Sequence, residues 1–148
     1  MSVQDIINTK GDAVVTVMET IRLKHAVRVM QEQAIGALVV VESTGRLKGV
    51  VSEREIIVAL AHHGKAALEL RASDLVLPGC PAVAPTDSVR DAMTIMTEQR
   101  VRHLPVISDR SVVGLISIGD TVKARLSEKI AENLVLQDIA RWPAASVA

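Results

Sequence analysis

Phenylalanine and tyrosine are absent from this sequence of 148 residues, and Trp142 is its single tryptophan. A hydrophobic core must therefore be built from aliphatic side chains and methionine, which the 49% apolar content supplies. The same absence removes the aromatic side chains on which the bases of single-stranded nucleic acids stack.

An excess of one charge is also absent. Seventeen lysines and arginines balance seventeen aspartates and glutamates, so that the formal net charge is zero. Such a chain has no net field that attracts phosphate backbones or anionic lipids. We therefore expect no nucleic-acid partner.

Cysteine and long hydrophobic runs are equally scarce. Cys80 is the only cysteine, so an intrachain disulfide is impossible, and we expect a buried or inert thiol rather than a catalytic one. No apolar run reaches the roughly 20 residues that span a bilayer, and residues 1–10 are too polar for a signal peptide. We expect a soluble, cytoplasmic protein with no membrane partner.

What the sequence does contain is an internal repeat. Residues 35–41 and 49–55 reappear, after a shift of 66 or 65 positions, as residues 101–107 and 114–120. Identical residues at matched positions include Met30 and Met96, Leu38 and Leu104, Gly49 and Gly114, and Ser52 and Ser117. The repeat predicts two copies of one supersecondary unit that share a core, because each half alone is marginal in size.

Each unit reads as strand, helix, strand, strand, helix. Apolar residues at helical spacing predict amphipathic helices over 23–34 and 89–96, the second begun by a capping box of Ser88 and Asp91. Continuous β-branched segments predict buried strands; these are 37–41, 47–51, 104–108 and 112–116, with short leading strands near 14–17 and 81–83. We expect an α/β (α+β) fold with the two units packed about a pseudo-twofold axis.

Two further segments complete the plan. Residues 61–81 contain Gly and Pro breakers and connect the repeats. Apolar residues at 122, 126, 130 and 134 predict a long helix with an apolar edge. That edge either packs on the sheets or is available to a second subunit.

The candidate site starts at Ser117 and Asp120, which follow a buried strand at the start of a helix. The free N–H groups and positive dipole end of a helix N-terminus favour phosphate. Asp120 can accept hydrogen bonds from a ribose diol, and Ser117 can bond a phosphate oxygen. The competing interpretation is a capping box without a ligand.

Arg102 and His103 add two donor side chains where the first repeat has Gly36 and Ala37. As an isolated pair they indicate only a polar surface, but together with Ser117 and Asp120 they predict an anion site. In the first repeat, Ser52 and Glu55 favour the capping interpretation, because Glu reaches back to the cap efficiently. We therefore predict one strong site and a weaker second cleft at Ser52 and Glu55.

The Arg-His-Leu-Pro-Val strand and the Gly-x-x-Ser-x-x-Asp junction resemble the cystathionine β-synthase (CBS) domain pair. This Bateman module is also found in IMP dehydrogenases, chloride channels and the AMP-activated kinase. The resemblance covers about residues 3–131. It implies one module over 1–148, with CBS motifs at 10–66 and 77–131 and an extension at 132–148.

The resemblance also implies a role for each matched residue. Asp120 matches the family's ribose-binding acid, Ser117 its phosphate-contacting hydroxyl, and Arg102 and His103 its phosphate-side pair. The base would rest against the segment before the first strand, near Lys10, Gly11, Val14 and Val15. Glu55, Gly36 and Ala37 depart from the pattern and put an equivalent second site in doubt.

Three function classes follow. The leading one is a regulatory module without catalytic activity that binds AMP, ADP, ATP or NAD, forms a homodimer and signals to an effector protein. The alternative is a structural dimerisation or adaptor domain with empty clefts. An enzyme is disfavoured, because the sequence has no nucleophile elbow, P-loop or paired metal-ligand motif, and His62-His63 is typical of a solvated helix end. We expect neither a metal nor a catalytic cofactor.

Overall fold

Two similar units of helix and strand make up the chain, as the repeat predicts. The structure is a computed structural model that describes residues 1–11 and 13–142. In chain order its elements are α1 (Val3–Lys10), β1 (Thr16–Met18), α2 (Leu23–Gln33), β2 (Ala37–Val41), β3 (Leu47–Ser52), α3 (Glu53–His63), α4 (Ala72–Leu75), α5 (Val89–Gln99), β4 (His103–Ser108), β5 (Ser111–Ser117) and α6 (Ile118–Arg141). A 3₁₀ helix (Gly64–Glu69) precedes α4 in the connecting segment.

The two sheets have the same plan and differ at one edge. In the first unit β1 pairs in parallel with β2, which pairs antiparallel with β3. In the second unit β4 and β5 form the antiparallel pair, and only Val83 bridges to Val106. The strand predicted near 81–83 was therefore wrong in extent. Pro81 and Pro85 flank Val83 and have no N–H to donate, so the pairing cannot extend.

Each unit is completed by a short helix that lies outside it in sequence. Val3, Ile6 and Ile7 of α1 are buried in the core of the second unit. Ala72 and Leu75 of α4 are buried in the core of the first unit. This reciprocal packing interlocks the halves, and it sends the segments after α1 and α4 across the junction between the units.

Gly49 and Gly114 make this crossing possible. A Cβ on Gly49 would lie 2.1 Å from Val76 Cγ1, and a Cβ on Gly114 would lie 3.0 Å from Ile7 Cδ1. The two glycines occupy matched places in β3 and β5. The glycine of the repeated Gly-x-x-Ser spacing is therefore explained by the close packing of Val76 on β3 and of Ile7 on β5.

Helix α1 is an element that we did not predict. Ser2 and Asp5 form a capping box at its start. Val3, Ile6 and Ile7 share its inner face, and this i, i+3, i+4 spacing was the available signal. The capping box predicted for α5 is only half present: the Ser88 hydroxyl accepts a hydrogen bond from the Asp91 amide at 3.0 Å, without the reciprocal bond.

Helices α2 and α5 end alike. Ala34 and Arg100 both adopt the left-handed conformation, with φ of 53° and 55°. The following amides, Ile35 and Val101, donate to the carbonyls of Met30 and Met96 at 3.0 and 3.1 Å. Glycine is the usual residue at such a helix end, so both termini carry backbone strain.

Helix α6 is long, as predicted, and its apolar edge is exposed. Val122, Leu126, Ile130 and Leu134 are 51–59% exposed. The inner face instead buries Thr121 and Ala124. Among residues 1–11 and 13–142, this edge therefore does not pack on the sheets, which was one of its two alternatives.

Candidate functional site

Asp120 lies in the first turn of α6, where it is bound on two sides. Its Oδ2 accepts hydrogen bonds from the Ser117 amide at 2.9 Å and from Lys10 Nζ at 2.8 Å. The Ser117 hydroxyl accepts in return from the Asp120 amide at 3.1 Å. Burial raises the pKa of the Asp120 carboxyl, but the bonds from Lys10 and Ser117 outweigh it and hold that pKa below its usual value. Asp120 is therefore ionised at neutral pH.

Lys10 brings the segment before β1 to this helix start. It is the last residue of α1, and its Nζ donates to the Leu115 carbonyl at 2.8 Å as well as to Asp120. Gly11 follows with a φ of 94°. Val14 and Val15 are half-buried, and the Val15 carbonyl accepts from the Val39 amide at 3.3 Å. Lys10 thus connects Asp120, the predicted ribose-binding residue, with the segment that we predict to contact the nucleotide base.

The predicted cationic pair lines a different opening. A pocket of about 810 Å³ is lined by Arg102 and His103 together with Ser52 and Glu55. The other predicted site residues do not line it; these are Ser117, Asp120, Lys10, Gly11, Val14 and Val15. The residues that we grouped into one site are therefore divided between this pocket and the hydrogen-bonded cluster of Asp120, Ser117 and Lys10. We keep the name Asp120 cleft for the predicted nucleotide cleft at this cluster, with Gly11, Val14 and Val15, and we call the pocket the Glu55 pocket.

His103 lies next to both clefts. It pairs with Ser117 in the register of β4 and β5, and its side chain lines the Glu55 pocket. Burial, followed by the Lys10 charge, lowers the pKa of the imidazole, although neighbouring carboxylates at Glu55, Asp120 and Glu53 act in the opposite direction. The imidazole is therefore neutral at pH 7 and able both to donate and to accept a hydrogen bond.

Ser52 and Glu55 form a complete capping box at the start of α3. The Ser52 amide donates to Glu55 Oε2 at 2.7 Å, and the Ser52 hydroxyl bonds to the same oxygen. Both residues also face the pocket. These bonds are the ones that the capping interpretation, which we favoured for this pair, predicts.

Several residues of the Glu55 pocket were missed. Arg54 and Arg100 line it, as do residues 77–81 of the connecting segment, including Cys80. Burial raises the pKa of the Cys80 thiol, which favours the unreactive thiol form. The repeat held the available signal: residues 77–81 precede the second unit just as residues 11–15 precede the first.

Other kinds of site find no support among residues 1–11 and 13–142. This part of the chain has no group of three or more His, Cys, Asp or Glu side chains placed to hold a metal ion. Over the same residues, none of the helices combines the length and the apolar character that crossing a membrane requires.

The interlocked repeat with a Ser-x-x-acid helix start in each half defines a class of protein. The family model described as "CBS domain" matches residues 3–62 and 72–127. The chain therefore belongs to the CBS domain family and carries a tandem pair of these domains. The predicted family and the predicted fold class are confirmed.

Known relatives and structures are consistent with this assignment. The mitochondrial CBS domain-containing protein CBSX3 of Arabidopsis thaliana is 35% identical over 107 residues, which are 70% of this chain and 52% of that protein. The crystal structure of the CBS-domain protein ATU1752 of Agrobacterium tumefaciens matches with a TM-score of 0.80 and 35% identity, over 84% of this chain and 92% of that one.

Two further comparisons set limits. This chain spans 36% of a 33.4 kDa protein of Thermofilum pendens to which it is 34% identical, so it matches only part of its first relatives. The CBS domain pair of protein MJ0100, solved in complex with 5′-methylthioadenosine and S-adenosyl-L-methionine, has a TM-score of 0.76, 20% identity, and coverage of 86% and 98%. At this level of identity the similarity shows only that the two chains share a fold.

Proposed function

We propose that this chain is a cytoplasmic regulatory module without catalytic activity that binds an adenine nucleotide, such as AMP, ADP, ATP or NAD. The observation that carries the proposal is the Asp120 cleft. There an ionised carboxylate, a hydroxyl at a helix start and a lysine from the preceding segment come together. The adenosyl ligands of the MJ0100 pair support the same ligand class.

Each residue of the Asp120 cleft has a proposed role. The recorded hydrogen bonds of Asp120 within residues 1–11 and 13–142 use its Oδ2 and amide. Its Oδ1 can therefore accept from a ribose hydroxyl. Gly11, Val14 and Val15 offer an aliphatic wall and main-chain groups to the base, which need no aromatic side chain.

We place the phosphate side of the nucleotide toward Ser117 and His103, whereas Arg102 lines the Glu55 pocket. His103 is the register partner of Ser117, so the two side chains are adjacent on the sheet. Lys10 is the cation already present, and a phosphate can replace the carboxylate as its partner. Binding would in this way loosen the link between α1 and α6, which is a means of signalling to an effector protein.

Thermal unfolding tests the proposal. A ligand that binds only the folded state raises the midpoint by mass action, by about 2.7 kcal/mol of stability at 100 times its Kd. Addition of millimolar AMP, ADP, ATP or NAD to the wild-type chain should raise the midpoint. An unchanged midpoint with all four would support the adaptor alternative with empty clefts.

We further propose that two copies associate through α6. The exposed edge of Val122, Leu126, Ile130 and Leu134 is apolar over more than three turns, and such exposed patches mark interaction sites. Leu126→Glu should shift sedimentation from dimer to monomer, whereas Ser127→Glu adds the same charge beside the edge as a control. A wild-type monomer at micromolar concentration would refute this association.

A further inference from the structure

A cluster of basic residues lies on the first unit, where α2 and α4 begin. Arg22 and Arg71 stand immediately before these two helices, and a backbone bridge joins them in antiparallel pairing. Lys24 and Arg28 follow on α2, one turn apart, so their side chains are neighbours on the helix surface. All four residues are exposed. We call these four residues the basic face.

One glutamate of the chain already lies at the basic face. Glu69 Oε1 accepts a hydrogen bond from Lys24 Nζ at 3.0 Å, and Glu69 Oε2 lies 4.0 Å from Arg22 Nη1. The same guanidinium donates to the main-chain carbonyl of Glu69 at 2.6 Å. The bond from Lys24 is the main reason why the pKa of the Glu69 carboxyl is lowered. The basic face thus binds a glutamate through both its carboxylate and its main chain.

The remaining charge of the basic face is not balanced. None of the ion pairs recorded among residues 1–11 and 13–142 includes Arg28 or Arg71. Asp74, in the first turn of α4, accepts from the Arg71 amide at 2.8 Å. Glu69 and Asp74 therefore offset only half of the four positive charges at these helix starts. Like charges placed opposite one another are unfavourable, so an additional anion would stabilise this surface.

The fold does not require the two arginines that precede the helices. In the second unit Ser2 and Ser88 precede α1 and α5, and the same kind of antiparallel bridge joins them. Their hydroxyls cap these helices by accepting from the amides of Asp5 and Asp91, at 3.3 and 3.0 Å. A guanidinium has no acceptor atom and cannot cap a helix in this way. The first unit therefore lacks two caps that the second unit has, and folding does not explain the exchange.

We propose that the basic face binds an acidic segment of a partner protein, in which carboxylates lie close together in sequence. Arg28 and Arg71 supply the charge that is left unbalanced, and arginine binds carboxylates through two parallel N–H donors. A protein fits better than a nucleic acid, because none of the four residues offers an aromatic ring on which bases could stack. The basic face is separate from the Glu55 pocket and from the Asp120 cleft, so the inference adds a partner surface to the proposed nucleotide site.

Fluorescence anisotropy of a labelled octaglutamate peptide, titrated with the full chain at low salt and without nucleotide, tests the inference. Arg28→Thr/Arg71→Ser removes two cations and installs the residue types that the second unit has at the matched positions. Arg46→Ser/Arg90→Ser removes two exposed arginines outside the basic face and serves as the control. Thermal midpoints of both double variants establish that they are folded.

We expect the wild type to bind octaglutamate but not octaglutamine, with an affinity that falls as salt is added. Arg28→Thr/Arg71→Ser should weaken this binding at least about fivefold, since exposed ion pairs contribute up to about 1 kcal/mol each. The control should change it less than about twofold. Glu69→Gln removes a competing carboxylate, so it should strengthen octaglutamate binding.

Three results would overturn the inference. They are no octaglutamate binding at low salt, an equal loss in the control, and tighter arginine-dependent binding of an octameric DNA strand or of phosphatidylserine vesicles than of octaglutamate. Because the titration contains no nucleotide, its failure leaves the nucleotide proposal standing. Conversely, octaglutamate binding in a chain that binds none of the four nucleotides would sustain the basic face and refute the Asp120 cleft.

Discussion

The two helix starts at Ser52 and Ser117 have the same backbone hydrogen bond and different surroundings. In each, the serine amide donates to the acid three positions later, at 2.7 and 2.9 Å. Asp120 also accepts from Lys10, whereas the recorded bonds of the Glu55 side chain are to Ser52. The capping box thus fixes the position of the acid in each half, and Lys10 at the end of α1 gives Asp120 a cationic partner as well.

The residues before β2 and β4 extend the comparison. The carbonyls of Gly36 and Arg102 accept hydrogen bonds from the first amides of α3 and α6, at 3.1 and 2.8 Å. Because the main chain makes this contact, the side chain at the position can change without altering the fold. The halves have kept one architecture and acquired different cleft chemistry.

The largest expected effect concerns the matched glycines. Gly49→Ala should destabilise the chain by about 1–3 kcal/mol, since overpacking of this kind costs that much and the new Cβ would lie 2.1 Å from Val76 Cγ1. Gly114→Ala should cost less, because the nearest atom to its Cβ is the flexible end of Ile7, at 3.0 Å. Urea unfolding of both variants measures the difference. Equal losses, or no relief of Gly49→Ala by Val76→Ala, would contradict this packing account.

The next effect concerns the acid of the Asp120 cleft. Asp120→Ala should weaken AMP binding at least about tenfold, because a hydrogen bond to a charged group contributes about 1.5–3 kcal/mol. Glu98→Ala removes an exposed carboxylate of α5 and serves as the control. Calorimetry reports the affinities. Unchanged AMP affinity in Asp120→Ala would remove the ribose role from this residue.

A smaller effect is expected at the two left-handed helix ends. Ala34→Gly should raise the free energy of unfolding by about 0.5–1 kcal/mol through relief of backbone strain. Arg100→Gly should give a similar gain, because Arg100 has the same left-handed backbone. Thermal melts of both variants measure this gain. A loss of stability in Ala34→Gly would show that the strain is not relieved.

The smallest effect is a pH dependence at His103. Its pKa in the folded chain is lowered from the usual value of about 6.5. The unfolded state therefore binds the proton more readily, so stability should fall as the pH is lowered through and below this value. His103→Gln should flatten this slope, with His62→Gln, a change at an exposed histidine, as the control. Identical slopes for the wild type and His103→Gln would contradict the burial of the imidazole.

Most of the fold was predictable because it depends on local patterns. The continuous apolar segment at residues 37–41 became β2 with the predicted bounds. The apolar stripes of α2 and α5 point into the cores as expected. The reciprocal packing of α1 and α4 could not be predicted from local patterns, because it depends on contacts between residues that are far apart in sequence.

The site residues could be predicted one by one, but which of them lie together in space could not. Asp120 and Ser117 do start a helix together, and Lys10 reaches them over 110 positions of sequence. Arg102 and His103 line the Glu55 pocket, because the pocket is bounded by the strand of one half and the helix start of the other. The repeat predicts which positions of the two halves are equivalent. Which residues each position contacts depends on how the two units pack.

Native mass spectrometry of the wild-type chain, as purified and after addition of millimolar ATP, tests the account most directly, because it reports bound nucleotide and the number of copies together. We predict a dimer that carries at least one adenine nucleotide per chain. A bare monomer that stays bare after ATP is added would contradict both the nucleotide-binding clefts and the association through α6.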